Sequence, residues 1–283
     1  MDRLPTTPAP ASHQQAHAPI CFRTDADGRI TIPRNWIHTF DLSAENFESI
    51  YLQTKHAFAR LVALTKPPIL NWNHERGFAG SGDNRLLIRP DSHASLAGRV
   101  QTCDCCSSPG RIEFRNPHGQ EFLQICAPQT VPPSEWAHYI KTLIESPEED
   151  EAVHLALDQF PAVPDTATLL SLHPYSLATF LQLLAENDAA IEVTLANCES
   201  THRRRIQIET IELSDDAIGV YSELASFQLG LRAARSLHCD ARSAKRPILY
   251  IAGPDDAQLL AIEPATDHYS EAVFSQTLGK LST

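Results

Sequence analysis

Laid against itself, the chain repeats. At an offset of 136 residues Ile112-Glu113-Phe114 faces Ile248-Leu249-Tyr250, Leu123 faces Leu259, and Pro128 faces Pro264. Thr130, Ser134 and Glu135 face Thr266, Ser270 and Glu271 at the same offset. These are six identities across positions 112–135, where chance at about 6% per position would give one or two. An offset close to half of 283 residues restricts the fold to one that a shorter unit can make twice.

The local pattern in both copies is a hairpin followed by a helix. A β-type stretch (RIEFRN; ILYIAG) meets a turn rich in Pro, Gly, His or Asp, and a second apolar stretch (EFLQICAP; AQLLAIEP) ends at proline. Trp136, Tyr139, Ile140 and Leu143 then recur at helical spacing behind Ser134, read as an N-cap. Ser270 is read as the cap of a weaker copy carrying Val273, Phe274, Leu278 and Leu281.

Upstream, Phe47 to Leu64 and Tyr175 to Ala185 carry helical periodicity, although Ser49 to Thr54 reads equally as a strand. Strand patterns cover Arg85 to Arg89, Gly98 to Thr102, Ile191 to Leu195, Ile206 to Leu213, Ala217 to Tyr221 and Ser226 to Arg232. The expected class is α+β, a tandem duplication of an antiparallel sheet with flanking helices. The units are a disordered tail over 1–18, a first repeat over 19–150 and a second over 160–283, with the acidic stretch SPEEDE at the change of copies.

Charge and cysteine content narrow the function. A formal net charge of −12 repels phosphate backbones and anionic lipid heads, so neither nucleic acid nor membrane insertion is expected. Arg203-Arg204-Arg205, the one dense basic run, is read as the solvated mouth of a strand. Seven cysteines without a secretory leader pattern fit a reducing cytoplasm with unpaired thiols. There is no phosphate-cradling glycine loop, no Gly-x-Ser-x-Gly and no His-Glu-x-x-His. The pairs Asp215-Asp216 and Asp255-Asp256 sit in turn contexts, where Asp bonds nearby backbone amides.

With Arg205-Ile206-Gln207-Ile208-Glu209-Thr210, Phe227-Gln228-Leu229-Gly230-Leu231-Arg232 and the hairpin Pro247 to Leu260 in this order, the second half resembles the cytoplasmic hemin-utilisation proteins of the HemS/ChuS type. Their strand reading roughly Cys-Ile-Gln-Ile-His-Thr is similar to Arg205-Ile206-Gln207-Ile208-Glu209-Thr210, and their Phe-Asn-Leu-His-Leu-Arg to Phe227-Gln228-Leu229-Gly230-Leu231-Arg232. Their closing hairpin is similar to Pro247 to Leu260. In the first half, Leu-Thr-Arg-Asn resembles Gln53-Thr54-Lys55-His56, and Leu-Gln-Phe-Phe-Asp-x-His-Gly resembles Ile112 to Gly119. The resemblance implies heme as cofactor, carried between two copies of a split sheet and in some members degraded with an external reductant.

The departures from that family bear on the ligands. Its axial His lies on a helical region opening the second half, which is shorter here and leaves His154 and His173 as local candidates. Its cationic Arg from the first half corresponds to Lys55, a point charge without the planar fork. Its Trp before the first hairpin is missing. A heme site would thus draw on His173, His154, Lys55, His56, Gln207 and Arg232. The alternative is a protein-interaction or regulatory module that kept the fold and lost heme. A third reading places a metal or reactive thiol at Cys103, Cys105 and Cys106, with Cys126 as the nearest further thiol.

Overall fold

The computed structural model describes residues 23–33, 39–40, 42–43, 46–56, 58–65, 78–81, 84–88, 95–101, 107–145, 163–164, 167–170, 174–197, 199–232, 234, 236–240, 246–253 and 259–281. Along the chain the strands are β1 (Ile30–Ile32), β2 (Ile50–Lys55), β3 (Ala59–Thr65), β4 (Phe78–Ser81), β5 (Asn84–Ile88), β6 (Ser95–Arg99), β7 (Arg111–Arg115) and β8 (Glu121–Cys126). After them come helix α1 (Pro133–Glu145), β9 (Thr168–Leu170) and helix α2 (Pro174–Glu186). The remainder is β10 (Ala190–Ala196), β11 (Ser200–Gln207), β12 (Thr210–Leu213), β13 (Ala217–Tyr221), β14 (Ala225–Gly230), β15 (Ser236–Asp240), β16 (Ile248–Ala252), β17 (Leu259–Pro264) and helix α3 (His268–Leu281).

Two sheets share these strands, antiparallel at every described pairing. The first runs β1-β6-β7-β8-β2-β3-β14-β13-β12 and the second β4-β5-β11-β10-β17-β16-β15-β9. Taken from opposite ends, the orders match: β1-β6-β7-β8-β2-β3 corresponds to β9-β15-β16-β17-β10-β11. Each sheet is then extended by strands from the other half of the chain. Hence β4 and β5 belong to the second sheet, and β12 to β14 to the first.

The chain crosses between sheets inside the segment read above as one strand, Ile206 to Leu213. Strand β11 stops at Gln207 and β12 starts at Thr210 in the other sheet, with Glu209 N donating to the Tyr221 carbonyl. The helical reading of Phe47 to Leu64 is likewise corrected to the hairpin β2–β3. Both faces of that hairpin are largely buried, so apolar residues fall on consecutive positions and mimic a helical stripe.

Facing residues form a core row across the first sheet: Ile32, Leu96, Phe114, Leu123, Thr54, Leu61, Phe227 and Val220. Trp136, Tyr139, Ile140 and Leu143 of α1 are buried in the core of its β1–β6–β7 end, about 1.5–3 kcal/mol of transfer free energy for each. Gly98 and Gly110 let the helix come that close. A Cβ on Gly98 would stand 3.0 Å from Ile140 Cδ1, and one on Gly110 would stand 2.0 Å from Trp136 Cδ1. Helices α2 and α3 cover the second sheet, where Phe180 and Phe274 meet edge to face at 5.0 Å.

The helix starts differ from the expected caps. Pro132 supplies the first carbonyl of α1, accepting from Glu135 N and Trp136 N, which puts Pro133 at the first helical position and Ser134 within the helix. Asp267, and not Ser270, caps α3: its Oδ1 accepts from Ser270 N at 2.7 Å. Ser270 is buried and accepts instead from Ala190 N at 3.0 Å, pinning α3 to β10.

Candidate functional site

The two sheets meet where the β2–β3 and β10–β11 turns approach each other. Thr54 Oγ1 and His202 Nδ1 lie 3.2 Å apart across this junction, both side chains fully buried. Asn197 donates from Nδ2 to the carbonyls of Lys55 and Phe122, each at 3.2 Å, while its Oδ1 accepts from Ser200 N at 2.7 Å and Glu199 N at 2.9 Å. One amide thus closes its own turn and fastens it to the opposite sheet.

Of the residues expected to bind heme, Lys55 and His56 stand at this junction. Lys55 Nζ is 2.6 Å from Glu121 Oε1, with the lysine side chain 34% exposed. His56 Nδ1 accepts from Phe58 N at 3.4 Å and Ala59 N at 3.2 Å, and its ring lies 4.2 Å from that of Phe58. Those two contacts place the proton on Nε2, which is buried and directed toward the backbone of Leu259. Burial lowers the His56 pKa to about 4 and, with Arg204 adding to it, the His202 pKa to about 3.

Gln207 and Arg232 are held elsewhere. Gln207 is exposed and donates to the Asp188 carbonyl at 3.0 Å; Arg232, 80% exposed, pairs with Asp216. None of their recorded contacts reaches Lys55 or His56. His154, His173, Cys103, Cys105, Cys106, Asp255 and Asp256 lie outside the described residues. Among the described residues no group of three or more His, Cys, Asp or Glu is placed to hold a metal ion. None of their helices is long and apolar enough to cross a membrane.

The basic run is not the mouth of a strand. Arg203, Arg204 and Arg205 sit in the body of β11, and Arg203 bridges Glu192 and Glu263, the latter at 3.0 Å. Arg246 reaches Glu263 at 3.2 Å and Arg205 reaches Asp267 at 3.2 Å, so acid and base are matched on this outer face.

Asn197 and His202 escape the reading of the sequence, and Thr54 and Glu113 enter it only inside longer motifs, without a role of their own. The signal for His202 was available: His202, Arg204 and Ile206 alternate in one strand, which puts the histidine on the face of a core isoleucine. Glu113 stands between Ile112 and Phe114 with Arg111 and Arg115 two residues to either side.

Two sheets that exchange strands, each backed by helices, define a fold found in solved structures. ChuS, an E. coli heme oxygenase, is similar over 90% of this chain and 89% of its own, with a TM-score of 0.69 and 11% identity. Apo-PhuS, a heme-binding protein from Pseudomonas aeruginosa, is similar over 88% and 86%, at 0.67 and 12%. Holo-PhuS matches over 85% and 82%, at 0.65 and 12%. No family model and no curated sequence matches the chain. The chain has the ChuS and PhuS fold, as the resemblance implied.

Proposed function

We propose that the chain is a divergent heme-binding protein that carries heme, or a similar flat apolar ligand, in the cytoplasm. The observation that supports this reading is the fold match along nearly the whole chain to ChuS and PhuS, a heme oxygenase and a heme-binding protein. The matched strand orders support the further reading that the fold arose by tandem duplication, with units over 19–150 and 160–283.

The described residues fit heme only in part. Lys55 can offer a cation at the junction, yet Glu121 already partners it. His56 is a poor iron ligand: freeing a lone pair on Nε2 would move the proton to Nδ1 and strand two backbone N–H donors. The axial donor is therefore assigned to His173, which immediately precedes α2, with His154 as the second candidate. Heme would supply its iron chemistry; the chain would supply the donor and a shielded face. Binding is favoured over turnover because the family's Arg is replaced by Lys55 and its Trp is absent.

Titration of hemin into the purified protein tests this. A saturable Soret shift at stoichiometric hemin, lost in His173→Ala, is the expected result; no shift refutes heme binding, and a shift retained in both His173→Ala and His154→Ala refutes the ligand assignment. The second reading, an interaction module that kept the fold and lost heme, draws support from the internal partners of Lys55, Gln207 and Arg232. It gains from an absent shift.

A further inference from the structure

The two sheets are joined by a pair of turns that copy one another. The β2–β3 hairpin ends on the pair Lys55–Arg60 and the β10–β11 hairpin on Ala196–Thr201, so His56 and Asn197 hold the same position in the two halves. Each donates its own amide to the carbonyl three residues on, His56 N to Ala59 at 3.0 Å and Asn197 N to Ser200 at 2.9 Å. Each also folds its side chain back over its turn. Nδ1 of His56 accepts from Phe58 N and Ala59 N, and Oδ1 of Asn197 accepts from Glu199 N and Ser200 N.

The equivalence continues across the junction. Leu259 faces Ala196, and Phe122, one step past the Thr54–Leu123 pair, holds the same place in β8 that Leu259 holds in β17. Asn197 donates from Nδ2 to the Phe122 carbonyl at 3.2 Å, while His56 directs Nε2 toward the backbone of Leu259. Each turn therefore grips the other sheet at the matching residue, which makes a reciprocal latch with approximate two-fold symmetry.

The two halves of this latch differ in chemistry. The Asn197 amide has no proton to gain as the medium turns acid, whereas an imidazole takes one at the nitrogen that is accepting. A proton on Nδ1 of His56 would point at the N–H groups of Phe58 and Ala59 and replace both hydrogen bonds by opposed donors. The charged and titratable groups around this turn are Lys55, paired with Glu121 of β8, Arg60, held by Gln228, and Glu199, His202 and Arg204 of the β10–β11 hairpin. The influences on His56 are instead burial, which favours the neutral ring, and the Leu259 backbone, which favours the charged one.

We propose that His56 makes one half of the latch acid-releasable: a solvent proton taken up at Nδ1 frees the β2–β3 turn from the second sheet while the Asn197 half stays closed. The device needs no ligand and is independent of the heme reading.

Native-state amide hydrogen exchange of the full chain at pH 6 and pH 5, corrected for intrinsic rates, tests it. With a pKa of about 4 when latched against 6.5 when released, protection of the Phe58 and Ala59 amides should fall about sevenfold over that step. The Glu199 and Ser200 amides, held by Asn197, should change far less. His56→Asn, which copies the other half of the latch, should remove the dependence at Phe58 and Ala59, and His202→Leu should keep it. Should a variant fail to fold, the contrast between the two turns in the parent chain decides. Protection at Phe58 and Ala59 that stays flat from pH 6 to pH 5, that falls equally at Glu199 and Ser200, or that still falls in His56→Asn overturns the proposal.

Discussion

His202 and His56 are buried in the neutral form, and this gives the chain a signed dependence on acid. Their folded pKa values, about 3 and about 4, lie below the unfolded value of 6.5, so the unfolded chain binds more protons throughout that window. Stability is therefore full above the unfolded pKa and falls as pH drops from there toward 4 and then 3. At about pH 5 each histidine should cost about 2 kcal/mol. Urea midpoints measured across this range should fall, and His202→Leu, which cannot titrate, should shallow the slope. An unchanged slope would show that His202 is not the group responsible. Glu113 contributes with the usual carboxylate sign: burial pushes its pKa up, but the hydrogen bonds from Arg115 and Arg111 outweigh this and lower it. Its contribution is lost only at greater acidity.

At the level of elements, packing at α1 is the most sensitive point. Gly110→Ala would drive a Cβ to 2.0 Å from Trp136 Cδ1 and 2.6 Å from the Arg99 carbonyl oxygen, breaking the seat in which Trp136 Nε1 donates to that carbonyl. A loss of about 3 kcal/mol in chemical denaturation is expected. The cap assignments make a paired test: Asp267→Ala should cost about 1 kcal/mol, and Ser134→Ala should be close to neutral. The hairpins β7–β8 and β16–β17 and helix α2 were legible in sequence because alternation or helical spacing is clean there. The register between copies was not. Pairing in the sheets sets Ile112 and Phe114 against Leu249 and Ile251, all in the cores, whereas the identities at offset 136 set Phe114 against Tyr250, which belongs to a small cluster on the other face. A slip of one residue exchanges the faces of a strand, and a composition match does not sense it. The junction was illegible for another reason: Thr54 and His202 become partners only through the stacking of two sheets, 148 residues apart in the chain.

The whole molecule is built so that neither sheet belongs to one half. Strand β3 pairs with β14, Leu61 opposite Phe227, and β5 pairs with β11, Leu86 opposite His202. Cutting at the proposed boundary would strip the first sheet of β12 to β14 and the second of β4 and β5. Residues 19–150 or 160–283 expressed alone should fail to give dispersed amide NMR spectra, whereas the two co-expressed should recover them; a dispersed spectrum from either fragment would refute this dependence. The same exchange has a cost in time. Partners roughly 115 to 165 residues apart make the fold one of high contact order, for which slow folding is the rule. During synthesis, β3 leaves the ribosome long before β14 exists, and its edge must wait unpaired, open to chaperones and to other nascent chains.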